Sequence, residues 1–419
     1  MILSNLFSRC SFVYSLCFLA FTIPLYIKLN SVAIIIAAAF GLGYFIFHRE
    51  EWKAKKKNYA PLLLFGGLYF GVIMGLLNSS NAPPALFDLE QKLSWLIFPF
   101  IFFLGPKVEP KDLAPILLAF TASVVAVSFY AFFLDSGFIA GRFYLGNLEW
   151  KDPRIPVSRI YLGLYTTCTL CFALCYSLFI KKISKPVLYG TLMILALALL
   201  NTFAKAAIGA FFVCLLYLLY VSLAKYRKIY LIFLALLAVA FMLFIVFSEN
   251  SIKSKAVGLL NGFMIETTSR NILVVNSFNE RVVVHWKCAW KTLMTGNYWL
   301  FGVGRGDSQE LLDNCYLSIV GESSRSYVDM HFNSHNQYFT TWINYGLVFL
   351  LLLIYQFVFF ICQFHKIGFY AGVCLSLSAM IGCLTESVFE TQKGLVFYAF
   401  FQVLFISCFF EKREKIFAP

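Results

Sequence analysis

A helix needs about 20 apolar residues to cross a hydrocarbon layer roughly 30 Å thick. This chain holds twelve apolar runs near that length, at 11–27, 31–47, 59–77, 91–105, 113–134, 160–180, 186–203, 206–223, 229–247, 339–364, 368–387 and 395–410. The fourth and the last are short. Barrel strands alternate lipid-facing and lumen-facing residues over about ten positions, whereas these runs are apolar almost throughout. With no water to satisfy backbone groups in lipid, helices are the remaining solution. The first run has the length of a signal peptide, but no small-residue cleavage site follows it, so it is expected to stay as a helix. Only 13% of residues are charged and 60% are hydrophobic, against about a quarter charged in soluble domains. That balance excludes a water-soluble enzyme, a disordered scaffold and a nucleic-acid-binding domain. The 48 Phe and seven Trp suit a lipid-facing surface with interfacial belts.

The expected fold class is therefore an all-α polytopic membrane protein of about twelve transmembrane helices, with one large loop before the third-last. Its organisation reads as a membrane domain over 1–247, a loop over 248–338 packed on that domain, and a closing membrane segment with a tail over 339–419. With the amino terminus cytoplasmic, eighteen Lys and Arg fall on short cytoplasmic connections and flanks. Four (Lys28, Lys92, Lys205 and Lys393) fall on the short connections opposite. This positive-inside bias puts both termini in the cytoplasm and the large loop outside. The net charge of +13 thus reports orientation and does not require a polyanionic partner.

Ten of the twelve cysteines lie outside the large loop, and small thiols pack well between helices. Cys168, Cys171 and Cys175 share an apolar helix with no His nearby, a poor setting for zinc or an iron–sulfur cluster. Cys288 and Cys315 lie in the loop and can pair if that compartment is oxidising; spacing leaves the question open.

Three places can carry chemistry. His335-Asn336-Gln337-Tyr338 stands at the mouth of an outer helix, where an imidazole suits a general base acting on a sugar hydroxyl; the alternative is a His that caps or anchors the helix. Glu280-Arg281, followed by Trp286 and Trp290, offers a planar guanidinium that matches diphosphate oxygens, or simply pairs with Glu280. Lys205 lies in the tight connection 201–206 between two spans, and a cation so close to hydrocarbon is a functional candidate or a snorkelling anchor. The run Leu300-Phe301-Gly302-Val303-Gly304-Arg305-Gly306-Asp307 lacks the context of a dinucleotide site; its amides can approach an anion or merely turn the chain. No Walker motif, Asp-x-Asp pair or Gly-x-Ser-x-Gly element occurs, so neither a nucleotide nor a metal cofactor is expected. A base with nearby fixed cations at the outer boundary suits a reaction on an anionic, lipid-linked substrate whose leaving group is a diphosphate.

These residues give the chain its likeness. His335-Asn336 followed by Gly346, together with Arg281, Trp286 and the Leu-Phe-Gly-Val-Gly segment upstream, resembles the O-antigen ligase family of bacterial inner-membrane proteins, whose domain is shared with certain O-antigen polymerases. The likeness covers roughly 187–390. It implies transfer of a glycan from undecaprenyl diphosphate to lipid A–core on the periplasmic side, without metal. His335 is then the base and Arg281 the diphosphate ligand. Lys205 occupies a place where the family usually has Arg, keeping the charge but losing the fork. Asn336 and Arg305 are carried with these as substrate-binding candidates, and Glu386 resembles an acidic residue that orients a basic partner. A polymerase using the same donor is the nearest alternative. A transporter or flippase is a more distant one, since no internal repeat is visible. Donor specificity is expected in 248–338 and in 135–159, with Arg142, Arg154 and Arg159.

Overall fold

The structure, a computed structural model, describes residues 5–55, 57–135, 137–139, 142–144, 156–179, 185–202, 204–223, 278–296, 298–320, 328 and 331–417. The expected span 229–247, the loop through 277 and Arg154 lie outside these. The helices, in order, are α1 (Arg9–Thr22), α2 (Ile27–Phe47), α3 (Arg49–Ala54), α4 (Ala60–Leu77), α5 (Ala82–Gln91), α6 (Ser94–Leu104), α7 (Pro110–Asp135), α8 (Arg159–Phe179), α9 (Lys185–Asn201) and α10 (Lys205–Ser222). They continue with α11 (Phe278–Thr295), α12 (Arg305–Val320), α13 (Gln337–Tyr345), α14 (Leu347–Lys366), α15 (Tyr370–Thr385) and α16 (Gln392–Phe417). A small antiparallel hairpin, β1 (Gly137–Ile139) with β2 (Arg142–Tyr144), pairs Phe138 with Phe143.

Among the described residues, six helices are long and apolar enough to cross a membrane, in α2, α4, α7, α10, α14 and α16, and three shorter apolar ones lie in α1, α9 and α15. The chain is a multi-pass, predominantly helical membrane protein. Its axis is α16, whose spanning stretch is 78% buried against 22% for α10. Phenylalanines make that axis. Phe401 packs edge-on against Phe120 of α7 at 4.8 Å, Phe400 meets Phe98 of α6 at 5.7 Å, and Phe405 meets Phe172 of α8 at 5.5 Å. The expectation that Phe mainly faces lipid is thus too simple. Lipid offers helices no hydrophobic drive to associate, so close aromatic packing is one of the forces left to join them. Thiols fill gaps in the same core. Cys171, Cys214 and Cys374 converge from α8, α10 and α15, their sulfurs within 4.8 Å of one another, and Cys214 Sγ lies 3.4 Å from the carbonyl of Cys374.

One apolar run does not form one helix. The stretch 339–364 breaks at Gly346, which has φ 88° and separates α13 from α14. A side chain there would place a Cβ 2.1 Å from the Leu300 carbonyl oxygen, so only glycine fits. The glycine-rich run 300–307 explains the break. Val303 and Gly304 amides donate to the carbonyls of Ile343 and Asn344 at 2.7 and 3.1 Å, and the Leu347 amide donates to that of Leu300 at 3.1 Å. Asn78, at the end of α4, donates to the carbonyl of Gly302 at 2.7 Å. Asp307 accepts from the amides of Ser80 and Asn81, just before α5. The run is a backbone wedge that docks α12 on the rim of the bundle.

Below that wedge lies a buried ionic knot. Lys92, with no exposed surface, donates to Asp88 of α5 at 2.6 Å, to the Tyr345 hydroxyl of α13 at 2.6 Å and to Glu390 at 2.9 Å. Tyr345 donates in turn to the second Asp88 oxygen. Glu390 belongs to a short 3-10 turn, Val388–Glu390, leading into α16. Removing one partner from a buried pair leaves an uncompensated charge and typically costs about 3–5 kcal/mol. Lys92→Met should therefore lower the apparent Tm of the purified protein sharply. Adding Asp88→Asn to it should recover part of the loss, and equal Tm values for wild type and Lys92→Met would refute this role.

Candidate active site at the rim of the bundle

His335 sits just before α13 in a conformation that non-glycine residues seldom adopt, with φ 45°. Its amide donates to Asn333 Oδ1 at 2.9 Å, which fixes the strained backbone. Asn333 Oδ1 also accepts from the Ser387 hydroxyl at 3.1 Å. Thr340 bridges Ser387 and Ser334 through hydroxyl contacts of 2.9 and 2.7 Å. A chain of small hydroxyls thus binds the 333–336 turn to α13 and to the segment after α15.

The imidazole itself is half-buried. Glu386 Oε1 stands 3.4 Å from its Nδ1. On its other flank are the rings of His285 and Phe332, with centroids 4.9 and 5.5 Å away. His285, on α11, is 3% exposed, and its Nδ1 lies 2.9 Å from the Tyr316 hydroxyl of α12. Tyr316 donates to the carbonyl of Asn333 at 3.3 Å. A phenol has one hydrogen to give, so the His285 Nδ1–H donates to Tyr316. The two helices that carry this pair are joined by a disulfide, Cys288 to Cys315, with Cα atoms 5.5 Å apart. Sequence left that pairing open and gave His285, one of three His in the loop, no role. Its place three residues before a loop cysteine, with Tyr316 next to the other, was the available signal.

The remaining expected residues fall in different places. Asn336 is the N-cap of α13: its Oδ1 accepts from the Tyr338 and Phe339 amides at 2.9 and 3.1 Å, and its Nδ2 donates to the Leu384 carbonyl at 3.0 Å. Both ends of the carboxamide are engaged by protein, so Asn336 is a strut between α13 and α15. Arg305 opens α12, with Nε 3.7 Å from Glu390 Oε2. It lines a small hollow, with room for about one water, together with Asn333, Thr340, Asn344 and Glu390. The Asn344 amide nitrogen is buried without a hydrogen-bond partner. Burial would raise the Glu390 carboxyl, but Lys92 and Arg305 outweigh it and hold the group below its ordinary value. Lys205 is the first residue of α10 and is exposed. Its end of the helix packs where Gly163 of α8 meets Ala204. Tyr165 of α8 then reaches the carbonyl of Lys393 at the start of α16. Lys205 therefore shares the rim, on a different helix pair from His335. Arg281 lies on α11, one turn before His285; its side chain is outside the described residues. Arg159 begins α8 and is exposed.

The helices and this rim define a membrane protein with its polar machinery at one end of the bundle. Residues 190–354 match the family described as O-antigen ligase. The segment contains Lys205, Arg281, Arg305, His335 and Asn336, and it supports a ligase- or polymerase-type activity on lipid-linked polysaccharide. No curated protein matches the chain.

A thiol count checks the covalent tie between α11 and α12. Of twelve cysteines, ten are free and two are paired. Denatured protein should react with ten equivalents of a thiol reagent before reduction and twelve after it. Twelve before reduction would show that the bridge is absent.

Proposed function

We propose that this chain is a membrane glycosyltransferase of the bacterial inner membrane that transfers a glycan en bloc from undecaprenyl diphosphate to lipid A–core. In this reading both termini are cytoplasmic and the site opens to the periplasm. His335 takes the proton of the acceptor hydroxyl, whose oxygen attacks the anomeric carbon. The bond from that carbon to the diphosphate breaks, and the diphosphate leaves with the electron pair. Arg281, Lys205 and Arg305 supply fixed positive charge for the leaving group, so the reading calls for no metal and no other cofactor. Glu386 beside Nδ1 favours the tautomer that leaves Nε2 free to accept, and it stabilises the imidazolium once formed.

The observation that carries this reading is the held imidazole. Its strained backbone, the carboxylate at 3.4 Å and the packed second His are more than a helix anchor needs. The neighbouring hollow, with its arginine and unpartnered amide donor, is suited to one ordered water.

The test is reconstitution of purified protein with a lipid-linked donor and lipid A–core, without nucleotide or divalent metal, followed by gel analysis of the product. His335→Ala should reduce transfer by about 10²–10⁴-fold, the usual contribution of a positioned base. Normal elongation of lipopolysaccharide by that variant eliminates His335 as the base. Glu386→Gln should keep the fold and lose about tenfold, since it weakens orientation and leaves the base in place. In a deletion strain, loss of all capped core supports a ligase. Core that bears a single repeat unit supports a polymerase with the same donor.

A further inference from the structure

Across α12 from the His335 turn, the same rim holds a much larger space. It is an open cleft of about 620 Å³ between the end of α4, the turn 298–302 and the start of α12. Asp307, Glu310 and Leu311 face this cleft, whereas Ser308, Gln309 and Leu312 face the small hollow beside Arg305. Gln309 also donates to the Phe332 carbonyl at 3.2 Å, next to the His335 turn. Residues three and four apart share a helix face, so α12 alone separates the two spaces.

The cleft is built before anything enters it. The Gly302 amide closes the turn on the Tyr298 carbonyl at 2.8 Å, and the Gly302 carbonyl accepts from Asn78 at 2.7 Å. This tied turn presents Phe301 with 72% of its surface exposed, and Tyr298 beside it is exposed too. A ring on a turn held at both ends is a preset platform, which loses little freedom when a ligand packs on it. Asp307 is spent on the wall, since its two oxygens accept from the Ser80 and Asn81 amides. Ser80 and Glu310 are exposed. No Lys, Arg or His is among the described residues of the lining.

Two carboxylates without a cation disfavour a phosphate or diphosphate here, because like charges repel at close range. Flat rings beside carboxylate and hydroxyl acceptors fit a ligand with polarised C–H faces and many O–H donors. A saccharide has both. We propose that this cleft holds a glycan chain, with a sugar face stacked on Phe301 and Tyr298 and hydroxyls donating to Glu310 and Ser80. The source of the glycan rests on the transfer reading, in which donor and acceptor each carry one. An outer-leaflet phospholipid is the rival occupant, but its anionic head meets the same two carboxylates.

The test is an NMR titration of the full-length protein, held in a detergent without a sugar head group. Two probes are used, a lipid-free core oligosaccharide and a lipid-free repeat-unit glycan. Saturable binding of either is expected, and the one that binds shows whether acceptor or donor occupies the cleft. Phe301→Leu keeps apolar bulk but removes the flat ring, and it should weaken binding about two- to tenfold. Phe301→Trp should retain it. Binding of neither glycan overturns the proposal, as does equal affinity for wild type and Phe301→Leu. Loss of binding in phosphatidylglycerol nanodiscs would show that lipid fills the cleft, and that also overturns it. Glycan binding without transfer removes the transfer reading and leaves the cleft as proposed, whereas transfer without this binding does the reverse.

Discussion

One ammonium group without exposed surface joins three separate stretches of chain at the rim. Lys92 lies between α5 and α6, and it reaches Asp88, Tyr345 of α13 and Glu390 ahead of α16. Taking such a charge out of water is costly unless its partners are well placed. The arrangement therefore tolerates few alternatives, and that intolerance specifies geometry. Glu390 passes the constraint on. It accepts from Gln337 at 3.3 Å, while Gln337 accepts from the Phe389 amide at 2.7 Å. Gln337 is the first residue of α13, two positions after His335. The position of the imidazole thus depends on a knot that touches no expected substrate atom.

The sequence was most legible where lipid acts uniformly. Apolar runs such as 31–47, 59–77 and 206–223 correspond to α2, α4 and α10 within a few residues, because every backbone group in hydrocarbon must be satisfied locally. It was least legible where one segment meets another. Nothing near Gly346 announces a break in an apolar run; the cause is the Leu300 carbonyl, some 45 residues upstream. The same holds for Gly302 and Gly304, whose positive φ values serve backbone contact with α4 and α13. A glycine-rich loop that can cradle an anion and one that wedges two backbones together are alike in sequence.

The candidate site shows the same division. His335 could be singled out as a polar residue at the mouth of an apolar run and Glu386 only through the family resemblance, and the structure brings the two together. His285 could not, since one His in a long loop has no visible partner until α11 and α12 are laid side by side. Asn336 was legible as important but not in its role. Its side chain caps α13 and ties it to α15, which positions the His beside it. A polar residue adjacent to a reactive one can be conspicuous for reasons of architecture alone.

The disulfide bears on which side of the membrane this rim faces. Cys288 and Cys315 lie one turn from His285 and adjacent to Tyr316, so the bridge fixes the pair of helices that packs against His335. A bridge of this kind persists in an oxidising compartment and is lost in a reducing one. The distribution of Lys and Arg supports the same orientation from unrelated physics, since it reflects which connections resist translocation. The densely basic connection 48–57 lies at the other rim, where α4 begins. Redox chemistry and charge asymmetry are thus two independent supports for the proposed orientation, in which the His335 rim faces outward and the basic connection 48–57 inward.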